Sequence, residues 1–258
     1  MVIDRELLKL VKKNIPSDFE ARQLCEFIIK NGIENKAEEL SLKRKSGYPL
    51  QYIIGEWDFF GRTFKVGEGV LIPRADTETL IETVLSTDCK KSVICDLCSG
   101  SGCIAVTLEK ETGAKVFAVE KSEKAFGFLK ENVTLNNSSV ECIKGDIFDD
   151  SVKDSVPKTD IIVCNPPYLT RDDMNALQTE VSFEPKEALF GGEDGLLFYR
   201  KVTSFWKEKI QDGGYIFYEI GKGQEKHVSE ILMENGFCDI KYQEDLCKII
   251  RVVYARKK

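Results

Sequence analysis

The sequence contains no long apolar segment. No stretch approaches the roughly 18 uninterrupted apolar residues that a membrane-spanning helix needs. Residues 1–14 are rich in charge and lack the apolar run of a secretory signal peptide. We therefore predict a cytoplasmic protein without a membrane partner.

The chain also lacks an excess of positive charge. Its 37 lysine and arginine residues are outnumbered by 43 aspartate and glutamate residues, which gives a formal net charge of -6. A protein that binds nucleic acid nonspecifically neutralises phosphates with a surplus of basic residues. The composition therefore argues against a direct nucleic-acid substrate, although a local basic patch such as 43–45 is compatible with it.

Ligands for a metal ion are scarce. The chain has 9 cysteines but a single histidine, His227. Cys95, Cys98 and Cys103 have a C-x2-C-x4-C spacing that resembles a metal or redox site. A closed zinc site needs four ligands, and the sequence has no second cysteine pair at ligand spacing. We therefore predict that no metal is needed and that these cysteines are small apolar residues of a buried core.

The first 46 residues have a helical pattern. Ser17 followed by Glu20 is a capping box, and Gly32 is placed to end the helix that begins there. An aromatic run over 57–66 predicts a β-hairpin. The expected division is a helical domain at 1–55, a hairpin linker at 56–70 and a larger domain at 71–258.

Strand-like and helical patterns alternate from Ser92 onward. Such alternation builds an α/β, doubly wound and mostly parallel sheet. The last two strands are too close in sequence for a crossover helix, so we expect them to pair antiparallel at the sheet edge. The seven predicted strands are 92–97, 115–120, 140–143, 160–164, 215–220, 239–242 and 249–255.

The first of these strands runs into a glycine-rich turn and then a helix, at 96–102. In open α/β sheets, ligands bind at the carboxyl ends of the strands, where glycines allow close approach. The second strand ends at Glu120, where a carboxylate accepts hydrogen bonds from ribose hydroxyls. The turn has neither the G-x-G-x-x-G spacing nor a P-loop lysine. The pattern therefore predicts a nucleoside ligand without phosphates.

The most specific motif is Asn165-Pro166-Pro167-Tyr168, directly after the fourth strand. Pro166 holds Asn165 in an extended conformation, and the Pro-Pro step carries no N–H donors. The Asn165 side-chain oxygen and the Pro166 carbonyl can therefore take both hydrogens of a substrate –NH2, while Tyr168 can stack on the flat group that bears it. Two such bonds align a poorly nucleophilic nitrogen and stabilise its developing positive charge.

Together these patterns predict a methyltransferase that uses S-adenosylmethionine to modify a planar amide or amine nitrogen. Asp146 is placed to accept a hydrogen bond from the adenine amino group, with Ile147 against the ring. The predicted cofactor-binding residues are Cys98, Ser99, Gly100, Ser101, Gly102, Glu120, Asp146, Ile147 and Asn165. The predicted catalytic residues are Asn165, Pro166 and Tyr168, and the substrate-binding residues are Asn165, Pro166, Pro167 and Tyr168.

These motifs resemble the HemK/PrmC family, the protein-(glutamine-N5) methyltransferases of peptide-chain release factors. The Asn-Pro-Pro-Tyr string is shared with adenine methyltransferases of DNA and RNA, which are the alternative enzyme class; a noncatalytic binding module is the other alternative. Three further strings are typical of this family, at 49–55, 72–74 and 191–196. The chain departs from the family at Cys98 and Lys248, where glycine is common, and at Glu120, where aspartate is usual.

The resemblance covers nearly the whole chain and has several implications. The fold would be a class I methyltransferase domain over 71–258, with S-adenosylmethionine as its cofactor. The substrate would be the glutamine of the Gly-Gly-Gln loop of a release factor. The helical domain at 1–55 would hold that protein while its loop enters the active site.

Overall fold

The computed structural model describes residues 3–87, 89 and 92–258. Its amino-terminal region is helical, as the sequence predicts. Among the described residues, no helix has both the length and the apolar character needed to cross a membrane. The helices of this region are α1 (Arg5–Lys12), α2 (Asp18–Asn31), α3 (Ala37–Lys45) and α4 (Leu50–Ile54).

The ends of α2 follow the sequence signals, with one difference. The Ser17 hydroxyl accepts a hydrogen bond from the Glu20 N–H at 3.4 Å, and Gly32 ends the helix in the left-handed conformation with a φ of 62°. The Glu20 carboxylate accepts hydrogen bonds from Arg44 of α3. The predicted capping box is therefore half formed, since its carboxylate serves a contact between helices.

A hairpin follows the helices, as predicted. Strands β1 (Glu56–Phe59) and β2 (Arg62–Lys65) pair antiparallel. Phe60 and Gly61 form the turn with φ values of 48° and 71°. Two consecutive residues with positive φ are typical of the tight hairpin turn whose twist matches that of the strands.

The larger sheet contains seven strands in the order β5-β4-β3-β6-β7-β9-β8. Every pairing is parallel except those of β9 with β7 and β8, which confirms the predicted doubly wound architecture and its antiparallel last pair. The strands are β3 (Val93–Leu97), β4 (Lys115–Glu120), β5 (Glu141–Lys144), β6 (Thr159–Cys164), β7 (Ile210–Glu219), β8 (Phe237–Glu244) and β9 (Ile250–Lys257).

Helices cover both faces of this sheet, and each face has its own apolar core. Trp206 is fully buried in one core, where its indole N–H donates to the carbonyl of Ile147 at 2.8 Å. The core thereby fixes the loop after β5. The helices are α5 (Ala75–Leu85), α6 (Cys103–Thr112), α7 (Glu123–Leu135), α8 (Asp150–Ser155), α9 (Arg171–Asn175), α10 (Leu197–Trp206) and α11 (Glu225–Glu234).

Asn132 of α7 joins the hairpin to the glycine turn. Its side-chain oxygen accepts from the Lys65 N–H at 2.6 Å, and its nitrogen donates to the carbonyls of Lys65 at 3.0 Å and Ser101 at 2.9 Å. Asn132 is fully buried, so water cannot replace these bonds. A buried carboxamide in this position holds three chain segments together.

We predict that Asn132→Ala lowers the free energy of unfolding by about 2 kcal/mol or more, because it leaves buried backbone groups without partners. Asn136→Ala is the matched control on the same helix. The Asn136 side chain also donates to backbone carbonyls, but it is partly exposed, and its loss should stay below about 1 kcal/mol. Urea denaturation measures both changes; equal losses would contradict this role of Asn132.

Candidate active site

A cavity of about 540 Å³ lies over the carboxyl ends of β3, β4, β5 and β6. Most of the predicted site residues line it. They are Cys98, Ser99, Gly100, Ser101, Glu120, Asp146, Ile147, Asn165 and Pro167. Gly102, Pro166 and Tyr168 lie beside this cavity wall and do not line it. The sequence patterns therefore converge on one site, although not every residue of each motif faces it.

The turn after β3 has an unusual backbone. Cys98, Gly100 and Gly102 all have positive φ values, of 61°, 55° and 80°. The left-handed region costs a residue with a side chain roughly 1–2 kcal/mol, which is a physical reason for the glycine that the family usually has at the position of Cys98. Helix α6 then begins without a side-chain cap, so its first N–H groups are available to a ligand at the cavity.

The Glu120 carboxylate closes the far side of this turn. It accepts hydrogen bonds from the backbone N–H of Gly100 at 2.8 Å and of Ser122 at 2.6 Å. Burial raises the pKa of Glu120, while these N–H groups act in the opposite direction. Each carboxylate oxygen keeps a further lone pair, so the side chain is held in place and can still accept from a ligand hydroxyl.

Asp146 has hydrogen-bonding and charged partners within the protein that the sequence did not predict. Its oxygens accept from the Phe148 N–H at 3.0 Å and from the Lys121 ammonium at 2.9 Å. Burial alone would raise the pKa of Asp146, but these partners hold it below its usual value. The carboxylate is therefore ionised and anchored at the cavity, beside Ile147, whose side chain is buried.

Asn165 follows β6 directly and lies in the cavity wall. Its side-chain nitrogen donates to the hydroxyl of Thr77 at 3.4 Å. Thr77, on α5, is buried and also lines the cavity. In this orientation the carboxamide oxygen faces away from Thr77 and can accept a hydrogen bond. The sequence analysis did not identify Thr77.

The loop that carries Pro166, Pro167 and Tyr168 is held by its neighbours. The Leu169 N–H donates to the Leu189 carbonyl, and the Gly191 N–H donates to the Leu169 carbonyl, both at 2.8 Å. A Cβ at Gly191 would lie 2.6 Å from the Pro167 carbonyl oxygen, so only glycine permits this close approach. The Tyr168 ring packs against the core of the sheet, and burial raises its pKa above the usual value.

A buried ion pair forms another part of the wall. The Arg74 guanidinium binds the Glu184 carboxylate, which also accepts from the Ile72 N–H at 3.2 Å. The Glu184 side chain is inaccessible to solvent, whereas Arg74 is partly exposed and lines the cavity. Burial raises the pKa of Glu184, and the charge of Arg74 opposes that change. The 72–74 string contains Arg74, but its pairing with Glu184 was not anticipated.

Within the part of the chain that the structure describes, no group of three or more histidine, cysteine, aspartate or glutamate residues is arranged to hold a metal ion. Cys95 and Cys103 are buried. Burial raises the pKa of the Cys103 thiol to about 12, so it stays protonated near neutral pH. Both residues serve as apolar core residues.

The chain matches known methyltransferases in sequence. Residues 74–193 match the family described as the methyltransferase small domain. A release factor glutamine methyltransferase from Thermodesulfovibrio yellowstonii is 43% identical over 225 residues, which cover 83% of this chain and 78% of the relative. The chain belongs to the release factor glutamine methyltransferase family. A member from Fusobacterium nucleatum is 41% identical over 89% of this chain, which spans 66% of that relative.

Solved structures agree on the fold. A methyltransferase from Pyrococcus furiosus superposes with a TM-score of 0.60 at 19% identity, covering 77% of this chain and 90% of that one. The architecture is that of class I methyltransferases, in agreement with the sequence prediction. The resemblance to the HemK/PrmC family is confirmed, and the alternative of a noncatalytic module is not supported.

S-adenosylmethionine is the methyl donor of this methyltransferase family, and the cavity has groups suited to it. The free N–H groups at the start of α6 suit a carboxylate. The Glu120 carboxylate suits ribose hydroxyls, and the buried Ile147 suits an adenine ring. A Cβ added at Gly100 would meet nothing within 4 Å, so the turn leaves open space at the cavity.

We predict that Gly102→Ala weakens binding of S-adenosylhomocysteine by about tenfold or more, corresponding to about 1.4 kcal/mol. Its Cβ would lie 2.4 Å from Cδ1 of the buried Leu129 and displace the turn. Gly113→Ala is the matched control, because Gly113 also has a positive φ, of 65°, but has nothing within 4 Å. Calorimetry should find unchanged affinity for Gly113→Ala; equal weakening of both variants would argue against the proposed cofactor turn.

Proposed function

We propose that this enzyme transfers the methyl group of S-adenosylmethionine to the side-chain amide nitrogen, N5, of the glutamine in the Gly-Gly-Gln loop of a peptide-chain release factor. The observation that carries the proposal is the position of Asn165 in the wall of the cavity over the glycine turn. Asn165 is the first residue of the loop 165–168, which we call the acceptor loop. The relatives' names supply the substrate class. The acidic composition argues against a nucleic-acid substrate, and the proposed location of the reaction is the cytoplasm.

Asn165 acts through geometry in this proposal. A glutamine amide nitrogen is a weak nucleophile, because its lone pair is delocalised into the carbonyl group. The Asn165 side-chain oxygen and the Pro166 carbonyl accept its two hydrogens, which orients the lone pair and favours positive charge on the nitrogen. When bound, the cofactor would supply an electrophilic methyl group and leave as S-adenosylhomocysteine, and the surplus proton on the methylated nitrogen then passes to water.

Pro167 and Tyr168 contribute shape. Pro167 lines the cavity, so an apolar surface lies next to the accepting groups. The Tyr168 carbonyl accepts from the Gln224 side chain at 3.1 Å, which fixes the end of the loop. In the proposal the Tyr168 ring stacks on the planar amide once the substrate is bound, and a small rotation away from the core accompanies this contact.

The helical region at 1–55 serves substrate docking in this proposal, with 56–70 as a linker and 71–258 as the catalytic domain. A groove beside this region contains apolar side chains from α2, α4 and β1, including Phe19, Phe27, Ile54 and Trp57. Phe19 is 65% exposed. Polar and charged side chains, including Glu26 and Lys30, also line the groove, and an exposed aromatic anchor with a polar rim is typical of a protein-binding surface.

We predict that Asn165→Ala lowers kcat by about 10² to 10³ while affinity for S-adenosylhomocysteine is retained. The magnitude follows from deletion of one hydrogen-bonding group that acts in the transition state. Mass spectrometry of a release factor incubated with the enzyme and labelled cofactor measures the added methyl group and assigns it to a glutamine.

Tyr168→Phe is the companion variant. It keeps the ring that stacks on the substrate amide, so the rate should be nearly unchanged. A single-turnover rate for Asn165→Ala within about threefold of the wild type, far from the expected loss, would mean that Asn165 only shapes the loop. Absence of a methyl group on any release-factor glutamine, with active cofactor bound, would refute the proposed substrate.

We predict that Phe19→Ser raises the KM for an intact release factor by roughly 5- to 30-fold, the range expected for one interface residue worth about 1–2 kcal/mol. The KM for a short peptide containing Gly-Gly-Gln should not change, since the peptide is too short to reach the groove. Met233→Ser is the matched control, because Met233 on α11 is also exposed, at 57%. A Phe19→Ser enzyme with an unchanged KM for the intact protein would contradict the docking role.

A further inference from the structure

Glu219 is a buried carboxylate next to the acceptor loop. It is the last residue of β7, which lies beside β6, and its residue exposure is 2%. One of its carboxylate oxygens, Oε2, is buried and has no hydrogen-bond partner within the described part of the chain. A buried acceptor without a partner is costly, so its presence calls for a functional explanation.

Cys164 of β6 pairs with Tyr218 of β7 in parallel register, so the residues that follow them, Asn165 and Glu219, lie beside each other. Burial raises the pKa of Glu219 to about 7, while the nearby Thr77 and Asn165 side chains and the charge of Arg251 act in the opposite direction. The Thr77 hydroxyl also accepts a long hydrogen bond, of 3.4 Å, from the Asn165 side-chain nitrogen. Glu219 and Thr77 therefore flank the nitrogen of the Asn165 carboxamide.

We propose that Glu219 is a positioning residue that fixes the orientation of the Asn165 carboxamide, so that its oxygen faces the substrate nitrogen. This inference rests on the proposed function, because it assigns to Asn165 the role of hydrogen-bond acceptor. Glu219 is not proposed to touch the substrate; it acts through Asn165 alone.

The role of Glu219 follows from the symmetry of a carboxamide. The oxygen and nitrogen of an asparagine occupy nearly equivalent positions, and a rotation of the side-chain amide exchanges them. The Thr77 hydroxyl can accept or donate, so Thr77 alone does not select one orientation. An ionised carboxylate only accepts, and it therefore requires the Asn165 nitrogen to face it and the oxygen to face away.

The contacts of Asn165 allow its nitrogen to reach Glu219. Its hydrogen bond to Thr77 is long, at 3.4 Å, and Oε2 of Glu219 accepts no hydrogen bond among the described residues. Catalytic hydrogen bonds often shorten when the substrate binds. We expect the Asn165 nitrogen to donate to Oε2 when the substrate amide binds the Asn165 oxygen.

The charge of Glu219 contributes in the same direction. Negative charge behind the Asn165 nitrogen polarises the carboxamide and makes its oxygen a better acceptor for a substrate nitrogen that becomes positive. Protonated Glu219 would lose this effect and could donate to the Asn165 oxygen, which favours the wrong orientation. The charged and titratable groups that face Glu219 are Asp76 of α5, Cys103 of α6, Tyr168 of the acceptor loop, Tyr199 of α10 and Arg251 of β9.

A double-mutant cycle tests the inference with the complete enzyme and an intact release factor. Glu219→Gln should lower the single-turnover rate by roughly 10- to 100-fold, as for residues that orient a directly acting group, with unchanged affinity for S-adenosylhomocysteine. In the Asn165→Ala background the same substitution should change the rate by less than about twofold, because residues that act as a unit are not additive. A full effect of Glu219→Gln in that background would overturn the inference.

Asp160→Asn is the matched control. Asp160 is a partly buried carboxylate at the other end of β6, where it accepts from the Val93 N–H at 2.8 Å. This substitution should leave the rate unchanged in both backgrounds. If the wild type adds no methyl group to a release-factor glutamine, the proposed function fails; if the wild type is active and the cycle is additive, only the positioning role of Glu219 fails.

The pH profile gives a second measurement that does not require the Glu219→Gln protein to fold. The wild-type rate should rise with pH through about 7, because ionised Glu219 is the form that orients Asn165. Burial also raises the pKa of Asp96, to about 8, so Asp96 could produce a similar rise in rate. The rise is therefore assigned to Glu219 only if it depends on Asn165. Loss of the rise in Asn165→Ala supports the inference; an identical profile in Asn165→Ala overturns it.

Discussion

The parallel pairing of β3 with β6 is the contact on which the active site depends. Leu97 lies beside Cys164 in this pairing, so the turn after β3 and the loop after β6 leave the sheet next to each other. The strand order reverses at β3. Strands β4 and β5 lie on one side of it, whereas β6 and β7 lie on its other side. Such a reversal opens a crevice at the carboxyl ends of the strands. The cofactor turn and the acceptor loop therefore share one cavity as a consequence of strand order.

Two departures of this chain from its family lie at positions with left-handed backbone, a conformation that favours glycine. Cys98 and Lys248 stand where glycine is common, and both have positive φ values, of 61° and 63°. The conformation is retained with a side chain because neighbouring contacts hold it. The Cys98 side chain packs against the sheet core. Lys248 lies in a turn where the Asp245 carboxylate accepts from the N–H groups of Cys247 and Ile249, at 2.8 and 3.0 Å.

The sequence predicts those parts of the site that depend on short local motifs. A glycine turn after a strand, a carboxylate at the end of the next strand and a Pro-Pro step are each readable within a few residues. Thr77 and Glu184 were missed because their partners are distant in sequence: the Asn165–Thr77 bond spans 88 residues and the Arg74–Glu184 pair spans 110. Helix α4 was not predicted as a separate helix, because the helical pattern was described only for the first 46 residues; α4 begins directly after Pro49.

Arg44 connects the helical region at 1–55, the proposed docking domain, to a segment that leads to the cavity wall. Its guanidinium binds Glu20 of α2 and also Glu180, at 2.8 and 2.9 Å, and Glu180 lies only four positions before Glu184 in the sequence. Gly47 and Tyr48 extend this contact: a Cβ at Gly47 would lie 2.6 Å from the Thr179 side chain, and the Tyr48 ring meets Phe183 edge to face at 5.2 Å. In the proposed docking role, a protein bound to the helices is linked through these contacts to the segment that contains Glu184, the partner of Arg74. This link is a physical reason for a helical region to accompany the catalytic fold.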